Sequence, residues 1–179
     1  GRASFSATFG GGVHSVTATY NGSGSFSGST SGAAAATTCT RTITGSSVGI
    51  AVTGESGTVC IRNASVSGAI TISGGVALDV ENSTITGATT VNKGSAARIC
   101  GSRTAGVGIS ESKGFVLVGD SGDDGCAVNT IGGTLSLTGN INGVEAIGNH
   151  VSGSIIVTGN SGAGPFPEDT APDVSGNRP

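Results

Sequence analysis

The chain has 179 residues, of which 34 are Gly, 11% are charged and 3% are aromatic, with no Met or Trp and a net charge of −3. This length allows one or two domains with a real core. It shows no clustered Lys and Arg to mark a nucleic-acid surface, and no run near the roughly eighteen apolar residues of a membrane span. Gly, Ser and Thr in such abundance can mean disorder. Here Val and Ile recur at regular places and mean hydropathy is slightly positive, so order is expected. Strong helix formers are few, and the Ala run at 33–36 is too short to hold a helix alone. The expected class is all-β. Four Cys, little Lys and a polar β-rich composition suit a secreted or cell-surface protein. Gly1 is no natural initiator, so a processed or truncated chain is expected.

Residues 1–35 do not share the pattern of the rest of the chain. ASFSATF (3–9) alternates and stops at Gly10-Gly11-Gly12. VHSVTATY (13–20) alternates again and reaches Asn21-Gly22, a turn signal. The stretch GGVHSVTATYNGSGSFSGSTS (11–31) resembles the end of a bacterial immunoglobulin-like repeat. Such a domain needs about seven strands, and residues 1–35 hold its last two or three. Unpartnered strand edges are prone to pair with other strands, so a partner for these is expected.

The remainder is built on a short unit. Val59 to Ala77 and Leu78 to Ala96 read as two successive copies: an Asn, a β-branched residue between small polar ones, a Gly, an alternating stretch and another Gly. The anchor glycines are Gly68, Gly87, about Gly106, Gly133 and Gly153, with an irregular copy near Val48. Two residues after the anchor stand Ile50, Ile70, Thr89, a slipped position near Ile109, Leu135 and Ile155; four after stand Val52, Ile72, Val91, Leu137 and Val157. A unit of about twenty residues cannot bury its own apolar face and must stack on copies of itself. The expected fold is a right-handed parallel β-helix of about six coils over 36–162, with a β-hairpin segment before it. Asn63 and Asn82 share a register, with Asn149 one place away, and Asn at a corner accepts left-handed backbone geometry.

One step is longer than the others, and its extra sequence is GDSGDDGC (119–126), expected as a protruding loop. The segment 163–179 contains all four Pro and is expected as an irregular tail, within which DVSGN (173–177) looks like the start of another coil. Cys39 and Cys60 lie about one coil apart, and Cys100 and Cys126 one coil plus the insertion apart. Stacked positions at about 4.8 Å fall inside the disulfide window. Of the three possible connectivities, Cys39–Cys60 with Cys100–Cys126 is favoured.

Taken together, CTRTITG (39–45), VC (59–60), VALDV (76–80), RICGS (98–102), VLVGD (116–120) with Cys126, and GNHVSG with VTGN (148–160) resemble a β-helix module of secreted actinobacterial proteins, often joined to immunoglobulin-like repeats. The resemblance implies secretion and architecture, and it brings no active site.

Candidate chemistry is sparse. GDSG (119–122) matches the nucleophile motif of chymotrypsin-like proteases, but the two histidines, His14 and His150, have no catalytic context around them. Asp120, Asp123 and Asp124 are weak candidates for calcium oxygens; their order lacks the EF-hand spacing, and a solvated acidic turn is the default. Asp79 and Glu81 share one side of a strand and read as an exposed face rather than a hydrolytic pair. Tyr20, Phe115 and Phe166 are scattered, which disfavours a sugar platform. The sequons at Asn21, Asn63 and Asn82 are chance matches in a chain so rich in Ser and Thr. No cofactor is expected. The expectation is a non-enzymatic extracellular structural or adhesive module, whose partner is itself, as a head-to-tail filament through its N-terminal strands. The rival is a carbohydrate-binding or carbohydrate-active protein acting on cell-envelope glycans.

Overall fold

The computed structural model describes residues 12–31, 34–54, 56–122, 125–162 and 173–178; the strand expected at 3–9, Asp123, Asp124 and Phe166 lie outside them. The described residues are all-β, without helix. Strands β1 (Gly12–Val16), β2 (Thr19–Tyr20), β3 (Ser29–Thr30) and β4 (Ala34–Thr38) make one antiparallel hairpin. β1 pairs with β4 and β2 with β3, and Ser23 and Phe26 exchange backbone hydrogen bonds at the tip. The N-terminal strands therefore partner each other.

From Arg41 onward the chain winds as a parallel solenoid of about six coils. β5 (Arg41–Thr53) and β6 (Thr58–Ser73) each run through a whole coil, and later coils break into three short strands. The first face stacks the opening parts of β5 and β6 with β7 (Ala77–Glu81), β10 (Ala97–Cys100), β13 (Val116–Val118) and β16 (Val144–Ala146). The second stacks their middle parts with β8 (Thr84–Ile85), β11 (Arg103–Thr104), β14 (Thr130–Ile131) and β17 (His150–Val151). The third stacks their last parts with β9 (Ala88–Asn92), β12 (Gly106–Ser110), β15 (Leu135–Thr138) and β18 (Ile155–Thr158). Asp173 pairs with Glu145 and Arg178 with His150 in parallel, so 173–178 lay part of a seventh rung, as DVSGN suggested.

The core is a set of like-on-like columns. The first face turns Val59, Leu78, Ala97, Val116 and Val144 inward, and beside them Ile61, Val80, Ile99, Val118 and Ala146. The second contributes Val66, Ile85, Ile131 and Val151. All of these are buried in one continuous apolar cluster, which supplies the hydrophobic driving force that no single coil could raise.

The fourth coil corrects the sequence register. Ala105, not Gly106, stacks on Gly87, because the backbone N–H of Ala105 donates to the Gly87 carbonyl. Val107 occupies the Thr89 and Leu135 column, and Ile109 falls in the Val91 and Leu137 column. The corner between the second and third faces is thus one residue shorter in this coil. A buried hydroxyl closes it: Thr104 Oγ1 donates to the Gly87 and Gly106 carbonyls at 3.0 Å and lies 3.2 Å from Thr89 Oγ1. Thr89, read from sequence as an apolar-column member, is the partner of that hydroxyl. Gly at the other coils reflects close approach. A Cβ on Gly87 would lie 2.6 Å from the backbone of the coil before it.

Two corners are held by internal polar ladders. Between the first and second faces Asn63 and Asn82 adopt φ of 48° and 49°, and Gly101 and Gly148 take 58° and 70°. The next residue then turns inward, and its N–H loses the regular β ladder. A side chain one rung up takes it. Ala64 donates to Ser83 Oγ, Ser83 to Ser102 Oγ, Ser102 to Asn129 Oδ1, Asn129 to Asn149 Oδ1 and Asn149 to Asn177 Oδ1, at 2.9–3.1 Å. The amide groups of Asn129, Asn149 and Asn177 reach back to the carbonyls of Ile99, Val118 and Ala146. A second ladder runs through Ser112, Asn140 and Asn160 between the third and first faces.

Removing one link leaves several buried polar groups unpaired at about 1–3 kcal/mol each. Asn149→Ala should therefore lower unfolding free energy by about 3 kcal/mol in urea titration, while the exposed Asn142→Ala should change it by less than about 0.5 kcal/mol.

Candidate functional surfaces

The outward column of the first face is buried instead of solvated. It runs Cys60, Asp79, Arg98, Leu117 and Glu145. The face is covered on both sides, which is why its strands read as near-continuous apolar stretches such as VLV. Two described features lie over it. The hairpin strand β1 contacts β7, and the Cys39–Cys60 disulfide fixes the base of the hairpin to the second coil.

Asp79 is fully buried within an ion network spanning three coils, so the expected exposed acidic face is not present. Arg62 Nη2 reaches Asp79 Oδ2 at 2.6 Å and Arg98 Nη1 reaches Asp79 Oδ1 at 3.1 Å. Arg62 Nη1 also binds Glu81, whose side chain is 39% exposed. Stacking sets the order: Arg62 lies against Glu81 and Arg98 against Asp79, so opposite charges alternate from rung to rung. Both oxygens of Asp79 are engaged by guanidinium groups. This arrangement joins coils; it does not present a free carboxylate to a substrate.

The insertion after β13 leaves the rung at the corner between the first and second faces. Asp120 and Cys126 exchange backbone hydrogen bonds at 2.6 Å, closing its neck. The Cys100–Cys126 disulfide ties that neck to the preceding coil, with a Cα separation of 4.9 Å. Both cysteines pack with Phe115 and Leu117 in a small second apolar cluster. Asp120 is buried, with φ of 155°, and its Oδ1 accepts from the Gly122 N–H at 2.7 Å. The Asp of GDSG thus stabilises its own turn. His150 stands on the second face in register with Thr130, and no hydrogen bond among the described residues joins it to Ser121. No group of three metal-ligating side chains occurs among the described residues.

The two other faces are solvent-facing. On the third, the outward residues Ala51, Thr71, Thr90, Gly108, Ser136 and Ile156 lie in one column, flanked by Thr53, Ser73, Asn92, Ser110, Thr138 and Thr158. It carries no ionisable side chain. The second face bears Ser46, Ser65, Thr84, Arg103, Thr130, His150 and Arg178 in one outward column. Beside Arg103 is a shallow trough of about 310 Å³ lined by Thr84, Thr86, Ala105 and Gly132.

Of the aromatic residues, Tyr20 and Phe26 are exposed on the hairpin and Phe115 is buried. Sequence reasoning missed the inward ladder, although its signal was present: the dipeptide Gly-Asn recurs at 139–140, 148–149, 159–160 and 176–177. No family model, curated protein or solved structure matches the chain.

Stranding one partner of a buried ion network costs about 3–5 kcal/mol. Asp79→Asn should lose about 3 kcal/mol by denaturant unfolding and Glu81→Gln less than about 1 kcal/mol. Separating Cys39 from Cys60 by Cys39→Ser with Cys60→Ser should expose the 12–38 hairpin to chymotrypsin at Tyr20 and Phe26, read by mass spectrometry, before the coils are cut.

Proposed function

We propose that the chain is a non-enzymatic extracellular structural or adhesive module, a stiff rod that holds surfaces in place. The observation that carries this reading is the destination of its buried polar groups. The two ladders and the Arg62–Asp79–Arg98 network all bond one coil to the next. Polar side chains used in this way make the stack resistant to local opening. Two disulfides add to that resistance and are compatible with an extracellular location.

Self-association is the second part of the proposal. The hairpin arms β1 and β4 pair only with each other among the described residues, so their outer edges can accept a strand from another copy. A head-to-tail contact of this kind is heterologous and extends into a filament.

Two measurements test the two parts separately. Small-angle scattering with protease challenge should give an elongated, resistant particle; a compact or readily digested one would refute the rod. Light scattering over rising concentration should show growing mass, and a constant monomer mass would remove the filament.

A further inference from the structure

Charge is segregated among the faces. The described acidic residues Asp79, Glu81, Glu145 and Asp173 belong to the first face, and Glu111 and Asp120 to its corners. Among the described residues the ionisable side chains of the second face are Arg103, His150 and Arg178. Arg103, His150 and Arg178 share one outward column with Thr130 between the first two, and all three are exposed. Among the described residues no carboxylate lies within ion-pair distance of them; Arg62, Arg98 and Lys93 are paired, and Arg41 and Lys113 are unpaired but stand apart from this column. On a chain whose net charge is −3, Arg103 and Arg178 are two guanidinium groups in one column with no carboxylate partner among the described residues.

Its geometry is set by the fold. Rungs are about 4.8 Å apart, so Arg103 and His150 stand roughly 10 Å apart along the axis and Arg178 about 5 Å beyond. The neighbouring positions are Thr84, Thr86, Ala105 and Gly132, which leave the trough beside Arg103 free of bulky side chains. A flexible polymer laid along the axis meets the guanidinium groups of Arg103 and Arg178 about three rungs apart, with Thr130 and His150 between them and close backbone approach at Gly132.

We propose that this face binds an extended anionic glycan, a chain of carboxylate- or sulfate-bearing sugars running across the rungs. Carboxylates and sulfates match guanidinium groups through two parallel hydrogen bonds. The Ser and Thr hydroxyls can pair with sugar hydroxyls. Single-stranded nucleic acid fits poorly, since the face has no aromatic residue on which bases could stack. The inference deepens the adhesive reading and rests on it for the role of binding. It does not rest on the rod tests, which measure shape and resistance without ligand.

Isothermal titration of the full chain at low salt tests it, with oligogalacturonate, dextran sulfate, uncharged dextran and poly-glutamate as probes. The expected result is binding to oligogalacturonate or dextran sulfate, with the stronger of the two identifying the acid, and none to dextran. Arg103→Ala with Arg178→Ala should weaken it about tenfold or more, and Arg103→Gln alone should weaken it in the same direction, both without a change in melting temperature. Lys113→Ala, at the opposite corner, should bind as the parent does. Silence toward both anionic glycans would overturn the proposal, as would equal binding of dextran or poly-glutamate binding as tight as either glycan. An equal loss in Lys113→Ala would also overturn it, by reducing the effect to net charge.

Discussion

Every coil of this protein meets the same difficulty at its corners. The chain must turn while remaining buried, and the residue after the turn points an N–H group where no strand carbonyl can take it. A buried, unpaired amide costs about 1–3 kcal/mol, and the fold makes many such turns. The solution is to borrow an oxygen from the rung above, as Asn129 does from Asn149 and Asn149 does from Asn177. Each rung is thus completed by its successor. The apolar columns give the stack its driving force, and the ladders give it a single register.

An asymmetry among the faces results. The first face is buried on both sides, which favours apolar or paired side chains in its outward column, and it holds both: Leu117 beside the disulfide of Cys100 and Cys126, and Asp79 between two arginines. Glu81, half in solvent, matters less by the same reasoning. The second and third faces are free of such cover. The third is uniform and uncharged, and the second carries Arg103 and Arg178, without a carboxylate partner among the described residues. Chemistry available to a partner therefore lies on the outside of the coils, away from the charged groups that stand out most in the sequence.

The period was legible because β-branched residues repeat in like positions, and the disulfides followed from stacking once the period was known. The register of the fourth coil was not legible. A one-residue deletion at the corner is hidden when Gly106 offers itself one place late, and only the Thr104 hydroxyl, bonded to two carbonyls, shows how the shorter corner closes. The role of Asp79 was hidden for a different reason. Alternation along VALDV says which side a residue faces, but not that the outward side is covered by a hairpin from the N-terminal segment. The Asn ladder lay between these cases. Its Gly-Asn pairs are visible, yet Asn63 and Asn82 mark only the left-handed turn residue, while the functional oxygen sits one residue later.

Hydrogen exchange at single corner amides tests the account most directly. If rung-to-rung side-chain bonds hold the stack, the N–H groups of Ser102, Ser112, Asn129 and Asn149 should exchange only through global unfolding, with the same denaturant dependence as the buried strand amides of Ile99 and Val118. Exchange of those four amides at the rate of exposed loop positions, while the strands stay protected, would contradict the claim that the ladders bind one coil to the next.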